Sequence, residues 1–514
     1  LAISQEKSAW KWSYYLAYLN MEMGVSEGVI ENFKRVVELN PEVHHAWFYL
    51  GEEHQNLRQN KDAEASFARI THLQSEPAGL KSSGRQDHFP LGTYASYQLA
   101  RIYLESDRLE LSETTLQQLI RTNRTFGPAY RLLSHVYNKK GEFSLSEQYV
   151  ARANDLLVYS PPVDTLIDKL AELSRSELFL LKKIDEAKRG IYSDWALHLV
   201  DNALEHIPDN PYVLSKAIKT YMWTEQENKA AALSEEHISY YQEDFAELFN
   251  VGMLFFGRSI YKQSITYFNK AHSLRPENME VQKNLAICYW SEGEKQKARD
   301  LLSGLIASDK NNPEILADVA NIRFFNFGET ELAKAHLVKL KAMDPDHPKV
   351  HKLAAGIAEK EGRKAEAISL YESSFMGNPE DKTTIRYLGN LLSDSELWDK
   401  SIQHYRQALI HHPNDPYFLE RLGTLLIGCP DTRLRNMNEG IVYSERAFLH
   451  MSSRPNTLVY SGRSLAFAYA NLGYKQNALH TIRETMALAR QANFSPTYLA
   501  ELEDMFLSIQ ALDN

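Results

Sequence analysis

VIENFKRVVELNPEVHHAWFYLG, residues 29–51, sets a pattern that the chain repeats. A small or apolar residue (Val29) stands four positions before an aromatic (Phe33), a proline follows eight positions on (Pro41), and a Leu-Gly pair (Leu50, Gly51) closes the stretch. The same order returns in SITYFNKAHSLRPENMEVQKNLA, residues 264–286, and in AISLYESSFMGNPEDKTTIRYLG, residues 367–389. Pro345, Pro379 and Pro413 lie 34 residues apart, and Pro208 and Pro276 twice that. A fixed period of this length marks a stacked array in which each unit buries its apolar face against its neighbours.

Within a unit the apolar residues recur at helical spacing, as in Leu285, Ala286 and Tyr289 and then Ala298, Leu302 and Leu305. Two helices therefore face each other. Small residues at the crossing (Gly51, Ala286, Gly389 and Ala466, with Ala63, Ala298, Ala333 and Ala367 opposite) let the backbones approach, and Phe33, Phe67, Phe268 and Tyr405 fill the space beside them. Gly141, Gly293, Gly328, Gly362 and Gly473 stand where the first helix must end and turn.

On these residues the chain resembles the tetratricopeptide repeat family, whose 34-residue helix-turn-helix unit carries W-x2-L-G-x2-Y, then A-x3-F, then P. Trp47, Leu50, Gly51, Ala63 and Phe67 match it, with His54 at the tyrosine position. Leu388, Gly389, Tyr405, Ala408 and Pro413 give a second copy, and Val251, Gly252, Phe255, Phe268, Ala271 and Pro276 a third. The anchors place units near residues 10, 44, 93, 127, 177, 211, 245, 279, 314, 348, 382, 416 and 459. The resemblance implies an all-α fold, a right-handed superhelical α-solenoid, whose first helices line a concave surface for a protein or peptide partner.

Composition is consistent with this. Of 514 residues 44% are hydrophobic, and Asp and Glu (67) outnumber Lys and Arg (57) for a formal net charge of −10, with no basic block. Nucleic acid is therefore not an expected partner. No apolar run is long enough to span a bilayer, so no direct membrane insertion is expected. Cys288 and Cys429 are too few and too isolated for a disulfide framework or a zinc site. Asn123 and Asn493 match the glycosylation triplet, a pattern common by chance.

Three histidines, His404, His411 and His412, invite a metal reading. In the unit alignment they fall at variable positions on the solvent side and at the end of a second helix, and His44/His45 and His347/His351 are discounted likewise, so no metal is expected. No phosphate loop, nucleophile elbow or His-Glu-x-x-His stands in the chain, and no cofactor or catalytic residue is assigned. A non-catalytic role is expected.

The residues expected to meet a partner are first-helix positions that the repeat pattern leaves open. They are Tyr14, Tyr18, Phe48, Glu52, Gln55, Tyr97 and Arg101, then Arg131, His135, Lys216, Lys219, Trp223, Phe249, Met253 and Phe256, then Lys283, Trp290, Arg386, Asn390 and Arg421. Family members that hold chaperone tails use a Lys and Asn clamp on successive first helices. Here Lys283 and Asn284 stand in such places, but Phe249 and Met253 replace their partners, and Arg421 stands where Arg386 and Asn390 would need an Asn, so the full clamp is absent.

Three interruptions divide the array into repeat units at 1–77, 93–160, 177–427 and 439–492, with a capping helix expected at 493–514. They are a polar insertion at 78–92, a linker helix or hinge at 161–176 after the Pro-Pro turn, capped by Asp164, and an insertion at 428–438. The hinge would separate two arms, 1–160 and 177–514. The middle interruption with FGPAYRLLSHVY (126–137) is similar to repeat regions of bacterial proteins that accompany exported haem or surface proteins. That likeness, with a first residue that is not methionine, points to an exported or periplasmic chain or to numbering that begins inside a longer one, a cytoplasmic place being the alternative. The expected function is a scaffold or adaptor in an assembly. The alternatives are a recruiting subunit for an enzyme on another chain and a glycan or peptidoglycan binder.

Overall fold

Helices follow one another mostly as pairs joined by tight turns, with an extra helix at Thr165–Leu173, in the computed structural model, which describes residues 10–73, 89–123, 126–154, 156, 159–189, 192–449 and 455–512. No strand occurs among the described residues. The first helices of the pairs are Trp10–Glu22, His44–Asn56, Leu91–Glu105, Gly127–Lys139, Glu177–Arg189, Pro211–Trp223, Phe245–Gly257, Met279–Ser291, Pro313–Asn321, Pro348–Lys360, Lys382–Asp394, Pro416–Gly428 and Pro455–Asn471. Their starts track the sequence anchors closely. The fold is an α-solenoid of helix-turn-helix repeats.

The turn between paired helices reuses one backbone conformation along most of the array. Positive φ recurs at residues 225, 259, 293, 328, 362 and 396, in steps of 34 with a single step of 35. Glycine takes the place at Gly293 (φ 87°), Gly328 (φ 68°) and Gly362 (φ 79°), whereas Glu225, Ser259 and Glu396 accept the left-handed conformation without being glycine. The long step has a visible cause. Residues Ile322–Asn326 form a turn of π-helix at the end of the first helix Pro313–Asn321. A π-turn absorbs one extra residue in a helix. It drives Phe324 and Phe325 toward the next first helix, where a Cβ added at Gly356 would lie 2.7 Å from each ring.

First helices of the later repeats start on a side-chain cap that recurs with the same period. Asp244, Asn278, Asn312, His347, Asp381 and Asp415 each accept from a backbone N–H in the first turn. Three of these caps also tie one repeat to the one before it, His347 through Glu314 at 2.6 Å. Lys352 reaches Asp381 at 2.8 Å and Lys382 reaches Asp415 at 2.9 Å. Burial would raise the Asp381 carboxyl, but the Lys352 charge and hydrogen bonds from Lys352, Thr383 and Thr384 outweigh it and hold the group at about 2.

Close crossings explain the small residues. A Cβ added at Gly51 would meet the Phe67 ring at 2.6 Å and one at Gly252 the Phe268 ring at 2.7 Å, and at Gly389 it would run into Tyr405. The core is a series of apolar clusters handed from repeat to repeat, such as Ala286, Ala298, Leu302 and Leu305 with Val319, then Leu316, Ala333, Leu337 and Leu353. The last helix, Pro496–Gln510, buries Leu502 and Ile509 and leaves Leu507 exposed.

The chain divides into two compact units, residues 1–220 and 221–514. This boundary differs from the expected hinge at the Pro-Pro segment. The reason is that Pro162, Val163 and Asp164 are buried within the first unit, so the segment is packed rather than free. Most of the expected insertion at 78–92, residues 78–88, lies outside the described residues. The insertion at 428–438 contains a short 3-10 turn, Thr432–Leu434, closed by a bond from the Asn436 backbone N–H to the Leu426 carbonyl at 2.8 Å.

Candidate functional site: the first-helix faces of the two units

Over the first three repeats of the first unit the first-helix face is already covered, and the cover is the chain itself. Residues 159–164 are non-helical and cross three successive first helices in reverse order. Tyr159 stacks on Tyr97 at 5.7 Å between ring centroids, lies edge-on to Tyr94, and sits beside the Gln98 amide on the helix Leu91–Glu105. The Val163 carbonyl lies 2.8 Å from His45 Nε2 on the helix His44–Asn56. The Asp164 carboxylate then accepts from the hydroxyls of Tyr14 (2.5 Å) and Tyr49 (3.1 Å), while its other oxygen caps Leu166 and Ile167. Burial, and next the Asp164 charge, raise both tyrosine hydroxyls well above their usual range, so each remains a proton donor.

The continuation of this segment also lies on the first repeat. Lys183 donates to the Tyr18 hydroxyl at 2.9 Å, and Lys182 pairs with Glu22 at 2.6 Å. Deeper in the same face Gln98 donates to Glu52 at 3.1 Å, and Arg101 donates to the Gln98 carbonyl at 2.8 Å. Burial pushes the Glu52 carboxyl up to about 7 against the opposing pull of Arg101 and Gln98.

Several residues expected on an open face therefore lie elsewhere. Tyr14 and Tyr18 are buried beneath residues 159–183, and Phe48 is buried at the helix crossing, edge-on to Phe67 at 5.7 Å. Glu52, Gln55, Tyr97 and Arg101 are partly buried, and Arg131 and His135 are exposed on Gly127–Lys139. Lys216 pairs with Asp185 at 2.7 Å, and Lys219 donates to Ser215 at 2.9 Å.

In the second unit Trp223 is half-buried, Phe249 and Phe256 pack against Phe268, and Met253 is exposed and accepts from Asn284. Lys283 is engaged by Glu280 and by Asp318 at 2.7 Å. Trp290 lies flat on Phe327 at 4.1 Å, with Lys295 and Arg299 over its ring. These side chains are largely spent on packing within and between repeats.

The arrangement changes over the last first helices. Asn390 Oδ1 accepts from the Tyr417 hydroxyl at 2.8 Å, Arg421 at 3.0 Å and the Tyr405 hydroxyl at 3.2 Å, which joins two successive first helices to the second helix Trp398–His411 between them. Three donors on one carbonyl oxygen fix the amide, so its nitrogen is directed away from them. Arg386 is exposed with its guanidinium 4.5 Å from the Tyr417 ring centroid, and it makes no ion pair among the described residues. One helix further on, Arg463 pairs with Glu501 at 3.3 Å beside the exposed Tyr460 and Phe467. Two open grooves follow these side chains, one bordered by Lys382, Arg386, His412 and Tyr417, the other by Arg421, Thr424, Tyr460, Arg463 and Phe467. The candidate list includes Arg386, Asn390 and Arg421 but not Lys382, Tyr417, Tyr460, Arg463 and Phe467. Lys382 and Tyr417 share the first helices of Arg386 and Arg421, and Tyr460, Arg463 and Phe467 lie on the next first helix along.

The histidine cluster is split among different tasks. His404, expected at the solvent side, is buried. Its Nε2 lies 2.9 Å from the Ile385 carbonyl, and burial lowers its basicity despite that bond. His411 faces Glu380 at 3.2 Å, and His412 faces the Glu380 carbonyl at 3.1 Å. Among the described residues no group of His, Cys, Asp and Glu could hold a metal ion, and no helix is long and apolar enough to cross a membrane.

A family profile described as tetratricopeptide repeat matches residues 261–322. The chain is 20% identical to the TPR repeat-containing protein YpiA of Bacillus subtilis (strain 168) over 351 residues, 67% of this chain and 78% of that one. It is 24% identical to anaphase-promoting complex subunit 7 of Mus musculus over 159 residues, 31% of this chain and 28% of that one. Among solved structures it is similar to the APC/C hetero-tetramer Cut9-Hcn1 (12% identity, TM-score 0.32, 89% of this chain and 97% of that one). It is similar also to yeast Tom70 (15% identity, TM-score 0.39, 97% of this chain and 96% of that one).

Proposed function

We propose that this chain, a tetratricopeptide-repeat protein and hence a protein-interaction scaffold, receives an extended acidic segment of a partner protein on the first-helix face of its second unit, between Lys382 and Phe467. The observation that carries this reading is a run of cationic and aromatic side chains on the last first helices, in which Lys382 is paired with Asp415 and Arg463 with Glu501 while the exposed Arg386 makes no ion pair among the described residues. A chain of net charge −10 carries Lys382, Arg386, Arg421 and Arg463 on three successive first helices, interleaved with Tyr417, Tyr460 and Phe467. Arginine and aromatic side chains are the residues that most often dominate interface energy, and the exposed Arg386 charge at the head of the run favours an acidic partner. Tyr417, fixed by Asn390 and lying near both Arg386 and Arg421, keeps the run ordered before a partner arrives.

The test is co-purification of the full chain with its stoichiometric partner, compared with the Arg386→Ala, Arg421→Ala, Arg463→Ala triple variant. Wild-type helicity in the variant, loss of the partner by at least about a hundredfold in affinity, and weakening of the wild-type complex by salt are expected. A folded triple variant that keeps its partner, or affinity for glycans with no protein partner, would contradict the reading.

A further inference from the structure

The segment lying across the first unit has the form of a ligand. Residues 159–164 run non-helically over the first helices of the third, second and first repeats, contacting Tyr94, Tyr97 and Gln98, then His45, then Tyr49 and Tyr14. Two steps between neighbouring helices at about 8–10 Å each come to roughly 16–20 Å, which the roughly 17 Å of five extended residue steps covers together with the reach of the Tyr159 and Asp164 side chains. The contacts are also of the kind that reads a peptide. One aromatic ring stacks in the face, one backbone carbonyl meets a histidine, and one carboxylate takes two hydroxyl donors.

The fit is incomplete. Gln55 Nε2 and Thr93 Oγ1 are buried without a hydrogen-bond partner among the described residues. Gln55 stands three positions after Glu52, and Thr93 four positions before Tyr97, so each shares a helix face with a residue of the groove. Buried donors left unmet cost free energy that a better-matched segment would recover.

We infer that the first-helix face of the first unit is a second recognition groove, for an extended segment carrying an aromatic residue and, five positions later, a carboxylate, and that residues 159–164 occupy it as an internal ligand which such a segment displaces. A tethered occupant acts at an effective concentration on the order of millimolar, so a free segment succeeds only when it binds better or when the tether is weakened. The inference rests on the reading that first-helix faces are the binding faces, but its test uses a different unit and needs no partner, so each can fail without the other.

The probe is a fluorescein-labelled synthetic peptide of residues 159–168, titrated against the wild-type full chain and the Tyr159→Ala, Asp164→Ala double variant. The variant should bind the peptide at least tenfold more tightly than wild type, and a peptide carrying Asp164→Ala should lose that binding. A variant with wild-type helicity and no gain in peptide binding would overturn the inference. So would a variant that cannot fold, because the segment would then be part of the scaffold. Hydrogen exchange of the wild-type chain gives a separate reading: the Leu166 and Ile167 amides, capped by Asp164, should open at least a hundredfold more often than those in the middle of Trp10–Glu22. Equal protection would overturn displacement.

Discussion

At the scale of single residues, Glu52 shows how the occupied groove makes stability depend on pH. Burial raises its carboxyl to about 7, Arg101 and Gln98 oppose the shift, Glu53 adds to it, and Tyr159 lies on the far side of Gln98. Between the ordinary value of 4.5 and about 7 the folded chain holds a proton that the unfolded chain has lost. The folded state then binds more protons, so stability falls as pH rises through that window. Glu52→Gln removes the ionisation. Relative to wild type, the variant should gain about 1–3 kcal/mol between pH 5 and pH 8, measured as the change in denaturation midpoint of the first unit; a difference independent of pH would contradict the burial of this carboxylate. The sequence marked Glu52 as a first-helix position outside the repeat pattern. It could not mark the enclosure, because Tyr159 comes from a segment 107 residues away in sequence. The same blindness placed Tyr14 and Tyr18 on an open surface. His404 failed for a different reason. Its register was legible, but not the short reach to the Ile385 carbonyl that makes a buried imidazole tolerable.

At the scale of elements the sequence was most legible, because helix pairing is set by local rules. Apolar spacing, small residues at crossings and a recurring turn residue all report on contacts within one period, and the helix starts follow them. Two features escaped. The π-turn at Ile322–Asn326 leaves only a 35-residue step as its trace, and the caps from Asp244 to Asp415 sit in loops whose register was not followed. The turn position yields a direct expectation. Glu396 holds φ 59° where Gly293 and Gly362 hold the same left-handed turn, and its Cβ is the source of strain. Glu396→Gly should stabilise the second unit by about 0.5–1 kcal/mol, read from its denaturation midpoint, whereas a loss would mean that the Glu396 side chain contributes more than its backbone costs.

At the scale of the whole molecule, two units built from one repeat treat the same face differently. In the first, the face of the first three repeats is closed by the chain's own residues 159–164, with a buried carboxylate between two tyrosines. In the second, the last first helices leave arginines and aromatics open to solvent. Periodicity identifies the faces but says nothing about which is free, since occupancy depends on the path of a non-repeating segment. The sequence placed a hinge at that segment because Pro-Pro breaks helices, and the physical outcome of the break is an extended strip that fits a groove.

The measurement that bears most directly on this account is hydrogen exchange of the full chain with and without its stoichiometric partner. Added protection is expected on peptides from Lys382–Asp394, Pro416–Gly428 and Pro455–Asn471, with none on Trp10–Glu22 and His44–Asn56 while residues 159–164 remain in place. Protection confined to the second helices, or new protection of the first unit's first helices with no release of residues 159–164, would contradict it.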